Sequence, residues 1–544
     1  MRPPLPAAAL AACLLAACAS APAPTSHSAP AAVPGPVPVP QVAHPGGETA
    51  GWWYRSGAAR AAANGAMAGR ARNVIVFVGD GMGLTTVTAA RILEGQRRGA
   101  PGEEHALAFE QFPYTALAKT YNTDAQTPDS AGTMTAIASG VKTRIGHVGV
   151  GPAVATGDCA GMAGHELLTI LQLAESAGLA TGIVTSTRLT HATPAATYAH
   201  VPDRGWEGDR ELPASARAAG CRDIAAQFVD GRHGDGIEVA LAGGWASFLP
   251  EGSAYPGHGE ARGRRRDGRN LVEDWQRRHP DGRFAWNARQ LETAGDARRL
   301  LGLFAPSHLP YEADRAADDP SLADLTRAAL RVLQRHERGY VLLVEGGRID
   351  HAHHDGNAHR ALVDTIAFSD AVRVADQLAG DDTLVLVTAD HSHVLTFAGY
   401  PARGNPILGK VRAAGQDADA RDRLGLPYTT LGYGNGPGYV APTAAAPRPD
   451  LTAVDTTALD YLQEATVPLS AETHGGEDVG VWARGPGAGA VRGTLEQHVL
   501  FHLMVQATPA LRARLCASGT CNADGVPVEL PRPADFMRGP QPAP

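Results

Sequence analysis

Short runs of consecutive apolar residues, rather than alternating ones, recur along the chain at 73–78, 180–185, 239–242, 340–344, 383–387 and 480–483. Each has the length of a strand and is apolar on both faces, which predicts buried strands. Between them the period lengthens to that of a helix, as at 166–176 and 321–336. Strands alternating with helices over hundreds of residues predict an α/β protein, with a large, mostly parallel central sheet and helices on both faces. Ligands of such sheets gather at the carboxyl ends of the strands. Three runs lead into acids there: Asp80 after Val78-Gly79, Glu345 after Val344, and Asp390 after Thr388-Ala389.

The chain ends break this pattern. Residues 1–18 carry one charge, Arg2, then an Ala/Leu-rich stretch ending in Leu15-Ala16-Ala17-Cys18, which reads as a signal peptide too short to span a bilayer. A small-residue site ending in cysteine resembles the bacterial lipoprotein cleavage box, with Cys18 as the lipidated first residue of the mature protein. From Ala19 to Ala50 there are eight prolines and one charge, Glu48. That composition predicts a semi-extended tether, expected to run over 19–71. The folded body is expected over 72–525. A Gly- and Pro-rich excursion interrupts it at about 399–468, and a tail follows at 526–544.

Lys plus Arg is 48 against 56 for Asp plus Glu in 544 residues, a net charge of -8. No basic surplus exists to neutralise a phosphate backbone, so nucleic acid is not an expected partner. Four cysteines remain beyond the signal, an even number in an exported protein. Disulfides Cys159–Cys221 and Cys516–Cys521 are expected, the second pair being five residues apart.

The 21 histidines concentrate the chemistry. Asp350 and His354 are four apart, so a helix there offers a carboxylate and an imidazole to one cation. Asp390-His391-Ser392-His393 follows a predicted strand. Two such clusters on one sheet edge could hold two metals side by side. Thr127-Pro128-Asp129-Ser130-Ala131-Gly132-Thr133 precedes a helical pattern, and alone Asp129 or Ser130 would be no more than a helix cap. A serine at a helix N-terminus is also where backbone N–H groups favour a phosphate, and a nearby dication would favour its alkoxide.

These stretches, with His191-Ala192-Thr193-Pro194 and Glu472-Thr473-His474, occur in the order found in the alkaline phosphatases, and over roughly 72–521 the chain resembles that family. The resemblance implies a phosphomonoester hydrolase of broad specificity, with Ser130 as a nucleophile that becomes a phosphoserine and Arg204 as the guanidinium holding the phosphate. It implies two zinc ions, one on Asp350, His354 and His474, the other on Asp80, Asp390 and His391. It also implies one magnesium on Asp80, Thr193 and Glu345. Asp129, His191, His351 and His393 fall beside these groups, with His191 and His351 as in the animal branch. The animal enzymes' disulfides match the pairing above. A further calcium site is implied around Phe304 and Asp319, but Ala305 stands where an acidic ligand would be, and Asp319 alone is a weak basis for it.

The excursion at 399–468 matches the family's crown, so a homodimer is expected. The site is expected to be periplasmic or on a membrane-anchored lipoprotein. Ala19 and Ser20 lack the Asp that retains lipoproteins at the inner membrane in many bacteria, which favours the outer one. Sulfatases carry a different nucleophile motif, and related diesterases place Thr where Ser130 stands. A surface lipoprotein that only binds phosphate or metal has no need of Ser130.

Overall fold

The computed structural model describes residues 34–43, 46–255, 259–294, 296–444 and 447–537. The signal peptide and Cys18 lie outside them. Among the described residues fifteen strands follow in chain order: β1 Asn73–Gly79, β2 Tyr114–Lys119, β3 Ala180–Arg188, β4 Val239–Gly243, β5 Arg283–Ala285, β6 Leu300–Leu303, β7 Tyr340–Gly346, β8 Thr383–Ala389, β9 Ser392–His393, β10 Leu395–Phe397, β11 Leu431–Gly436, β12 Ala465–Pro468, β13 His474–Gly475, β14 Val479–Arg484 and β15 Gly493–Glu496. All six apolar runs are strands of one ten-stranded sheet, in the order β15-β2-β14-β8-β1-β7-β3-β4-β6-β5. Every pairing in it is parallel except those of β14 with β2 and β8.

The central strands β1, β7 and β8 are buried along their whole length, as both-faced apolar runs require. Helices Leu84–Arg97, Leu322–Leu333 and Ala358–Leu378 pack on one another in one layer. A second layer holds Ala50–Ala63, Ser130–Ser139 and Val499–Ala507. The helix expected at 321–336 is capped by Ser321, whose hydroxyl accepts from Asp324 N. The one expected at 166–176 starts late, at Ile170, because Thr169 and Gln172 form a reciprocal cap there.

The ordered body is larger at both ends than the expected tether and tail allow. Ala50–Ala63 is a helix capped by Thr49, and Trp53, Tyr54, Gly57, Ala58, Ala61 and Ala62 are buried at helical spacing. Trp53 meets the His498 ring edge-on, and Tyr54 meets His502 the same way. Val526 and Val528 pack on Ala58 and Ala62, and Phe536 is buried. These contacts follow from aromatic and small residues that the proline count of the segment obscured. Two strands of the 399–468 excursion, β11 and β12, form a small separate sheet with β10, which precedes it.

Candidate active site at the carboxyl edge

Gly79 of β1 pairs with Gly346 of β7 and Ala389 of β8, and Val78 pairs with Glu345. The next residues, Asp80 and Asp390, therefore leave the same edge side by side, with Glu345 one strand away. All three carboxylates are fully buried. The turn after Asp80 needs glycine: Gly81 has φ +70°, and a Cβ there would lie 2.4 Å from the His393 ring. Its N–H donates to Asp390 Oδ1 at 3.0 Å.

Asp350 and His354 share one face of the helix Arg348–His354, while His393 and His474 are paired across β9 and β13. His354 Nδ1–H donates to the Glu472 carbonyl at 2.6 Å, and His474 Nδ1–H to the Pro128 carbonyl at 2.8 Å. Both Nε2 atoms then carry lone pairs. They lie 3.1 Å apart, at 3.4 and 3.3 Å from Asp350 Oδ1. Two lone pairs converging on a carboxylate repel unless a cation lies between them, so this donor set fits zinc.

His391 is arranged in the same way. Its Nδ1–H donates to the Ser392 carbonyl, leaving Nε2 at 3.3 Å from Asp80 Oδ1 and 3.4 Å from Asp390 Oδ2. Ser130 opens the helix Ser130–Ser139, with Asp129 as its N-cap. The Ser130 hydroxyl lies 3.2 Å from Asp80 Oδ1 and 3.1 Å from His391 Nε2. Asp80 Oδ2, Glu345 Oε1 and Thr193 Oγ1 are buried without a hydrogen-bond partner. Three orphaned oxygens are a donor set suited to magnesium. His191 also groups with Asp80 and Glu345.

Electrostatics mark the same place. Burial, then the charges of Asp390, Asp350 and Glu345, holds Asp80 well above the usual carboxylate range. Burial and Asp350 raise Asp390, and burial pushes Glu345 up to about 7. Asp350 is the exception: burial works against its charge, but the hydrogen bond from His393 and the charge of the neighbouring imidazoles outweigh that and hold it well below the usual carboxylate range. Burial lowers His191, His351 and His391, with the charge of Arg204 adding at His191. Carboxylates packed at this cost lack positive charge, which bound metal would supply.

Arg204 reaches this edge from a loop. Its Nη1 is 3.2 Å from Asp129 Oδ2, and its Nη2 is 3.2 Å from His191 Nε2. Asp129 Oδ2 also accepts from Gly146 N, and its Oδ1 from Gly132 N. The cap of the serine helix therefore aims the arginine as well. His351 stacks edge-on against His191 and His308 and meets Arg348 Nη1 at 2.9 Å. His308 follows β6 with no sequence signal beside it and was not expected here. Asp319 accepts from Ala316 N in a turn and belongs to no cluster of three or more converging acids, histidines or cysteines among the described residues. Both expected disulfides are formed, with Cα–Cα distances of 6.0 Å for Cys159–Cys221 and 4.8 Å for Cys516–Cys521.

An α/β sheet that gathers carboxylates and imidazoles at its carboxyl edge, around one serine hydroxyl, is the framework of a metal-dependent hydrolase. The profile of the alkaline phosphatase family matches residues 71–510. Over 447 residues the chain is 48% identical to the tissue-nonspecific alkaline phosphatase isozyme of Gallus gallus, covering 80% of this chain and 84% of that one. It is 46% identical to the alkaline phosphatase of Gadus morhua, covering 80% and 92%. Among solved structures, a His-to-Asp variant of the alkaline phosphatase from the Antarctic bacterium TAB5, with Mg bound in its M3 site, superposes with a TM-score of 0.56 at 20% identity, covering 81% of this chain and 98% of that one. The chain belongs to the alkaline phosphatase family, and its activity is metal-dependent hydrolysis of phosphomonoesters.

Proposed function

We propose that Ser130 is the nucleophile of this reaction and is transiently phosphorylated. The observation that carries this is the place of its hydroxyl, within hydrogen-bond reach of Asp80 Oδ1 and His391 Nε2 where two donor groups adjoin. Asp350, His354 and His474 would hold one zinc, Asp80, Asp390 and His391 a second, and Asp80, Thr193 and Glu345 a magnesium, supplying Lewis acidity and neutralising charge. Arg204 binds two phosphoryl oxygens through its planar fork, held by Asp129. The dipole of the serine helix favours the same anion at its N-terminus. Ser130 Oγ attacks phosphorus in line, the bond to the substrate alcohol breaks, and water then cleaves the Ser130–phosphorus bond to release inorganic phosphate. The contacts are all to the phosphoryl group, which supports broad phosphomonoester specificity.

Phosphomonoester hydrolysis, followed by acid quench and peptide mass analysis, tests the assignment. Phosphate on Ser130, and loss of turnover by about 10³-fold or more in Ser130→Ala, are expected. Turnover that survives Ser130→Ala would overturn it.

We further propose an exported lipoprotein anchored through Cys18, on the outer membrane, and a homodimer joined through the excursion at 399–468. No helix among the described residues is long and apolar enough to cross a membrane. Phe397, Tyr400, Val467 and Leu469 are exposed in and beside the excursion, with Tyr400 at 90%, which supports a partner there.

A further inference from the structure

Glu472 is buried and touches the site through both its main chain and its side chain. Its N–H donates to the His354 carbonyl at 2.9 Å, and its own carbonyl accepts from His354 Nδ1 at 2.6 Å. The first bond ties down the end of the helix Arg348–His354. The second sets the tautomer that leaves His354 Nε2 free.

The carboxylate works on a different element. Oε1 accepts from Val394 N at 2.7 Å, and Oε2 accepts from His393 Nδ1. His393 Nε2 in turn meets Asp350 Oδ1 at 2.7 Å. Each ring nitrogen of His393 thus faces a carboxylate oxygen and acts as a donor, so the ring fixes the rotation of Asp350 instead of offering a lone pair of its own. Space around Glu472 is closed: a Cβ on Gly436 would lie 3.0 Å from the Glu472 Cβ.

We infer that Glu472 is the positioning residue of the Asp350–His354–His474 metal group, orienting His354 through its main chain and Asp350 through His393. The inference rests on the reading of those three residues as metal ligands. Among the described residues no hydrogen bond or ion pair joins Glu472 to Asp80, Asp390 or His391, so its effect belongs first to one metal and not equally to the pair. Removing a residue of this kind, one step behind the ligands, costs about 10- to 100-fold in metal affinity.

The two groups can be read separately in the full-length, zinc-loaded chain. A His391→Ala background leaves the Asp350–His354–His474 group intact, and a His474→Ala background leaves the other. In each, zinc retention is measured against a chromogenic chelator, with Glu472→Gln and Glu472→Ala added. Glu472→Gln preserves volume and main-chain contacts but loses one anionic acceptor, and its cost to folding is common to both backgrounds, so the difference between them reads metal affinity.

About 10- to 100-fold weaker retention in the His391→Ala background, well beyond any loss in the His474→Ala background, with the drop in metal-free melting temperature of Glu472→Gln equal in the two, is the expected result. Unchanged retention in both variants would overturn the inference. So would an equal loss in both backgrounds accompanied by a lower metal-free melting temperature, since that is a general structural role. The outcome does not depend on turnover. A fully loaded parent chain that failed to hydrolyse phosphomonoesters would refute the functional reading and leave the retention ratios standing.

Discussion

Asp80 and Asp390 each follow the last residue of their strand, and those last residues, Gly79 and Ala389, are register partners in adjacent parallel strands. Two carboxylates are thereby forced together at a buried edge, with Glu345 on the other neighbour of β1. Backbone hydrogen bonding creates the crowding, and its electrostatic cost persists until cations are bound.

This crowding predicts how stability depends on pH and metal. A carboxyl whose folded pKa is raised binds its proton more tightly in the folded than in the unfolded chain. Stability therefore falls as pH rises between the two values, a window from 4.5 to about 7 for Glu345, while Asp80 and Asp390 shift in the same direction. Bound zinc and magnesium remove the cause. The metal-free protein should lose stability between pH 5 and 7 relative to the loaded protein, by up to about 1.4 kcal/mol per pH unit for each group still titrating, seen as a falling melting temperature. Parallel curves for the two forms would contradict this.

Arg204 should be sensitive to the shape of its head group as well as its charge. Arg204→Lys keeps a cation but loses the fork that spans Asp129 and His191. Losing one charged hydrogen bond costs about 1.5–3 kcal/mol, so kcat/KM should fall roughly 10- to 100-fold. Asp129→Asn should produce a smaller fall in the same direction. Steady-state kinetics on a chromogenic phosphomonoester decide the order of the two effects.

Two glycines of the helix Ala50–Ala63 should respond oppositely to alanine. A Cβ on Gly57 would lie 2.5 Å from the His502 ring and 2.7 Å from the His498 ring, whereas one on Gly51 would meet only Thr49 Oγ1 at 4.0 Å. Gly57→Ala should destabilise by about 1–3 kcal/mol through overpacking. Gly51→Ala should be neutral or stabilise by up to about 1 kcal/mol. Denaturant unfolding of both variants checks whether this helix is docked on His498 and His502 in solution.

The two disulfides should contribute unequally. Cys159–Cys221 closes a loop with a sequence separation of 62, and Cys516–Cys521 one of 5. Loop-closure entropy assigns the first about 4 kcal/mol and the second about 2 kcal/mol. Unfolding of the two Cys→Ser pairs should show the larger loss for Cys159 and Cys221.

Strands and ligands were readable to different degrees. Strands β1, β3, β4, β7, β8 and β14 stand out because both of their faces are buried, which leaves an uninterrupted apolar run. β2 does not, since Tyr114 and Leu117 are exposed near the sheet edge and its pattern is mixed. The helix Ala50–Ala63 was hidden by the prolines preceding it, although its buried positions recur at helical spacing. Glu472 was visible as part of a motif, but nothing in Glu472-Thr473-His474 tells which atom of it meets His354 and which meets His393.

The sequence by itself determined the α/β alternation, the acids at the strand ends, the Asp350–His354 spacing and the cysteine pairs. Each of these depends on local periodicity or on residue type at short range. The meeting of Ser130 with Asp80 and His391, of Arg204 with Asp129, and of Glu472 with two separate histidines was decided only by the tertiary structure. Those contacts join residues far apart in the chain, and strand order and register bring them within a hydrogen bond of one another. No local pattern encodes either.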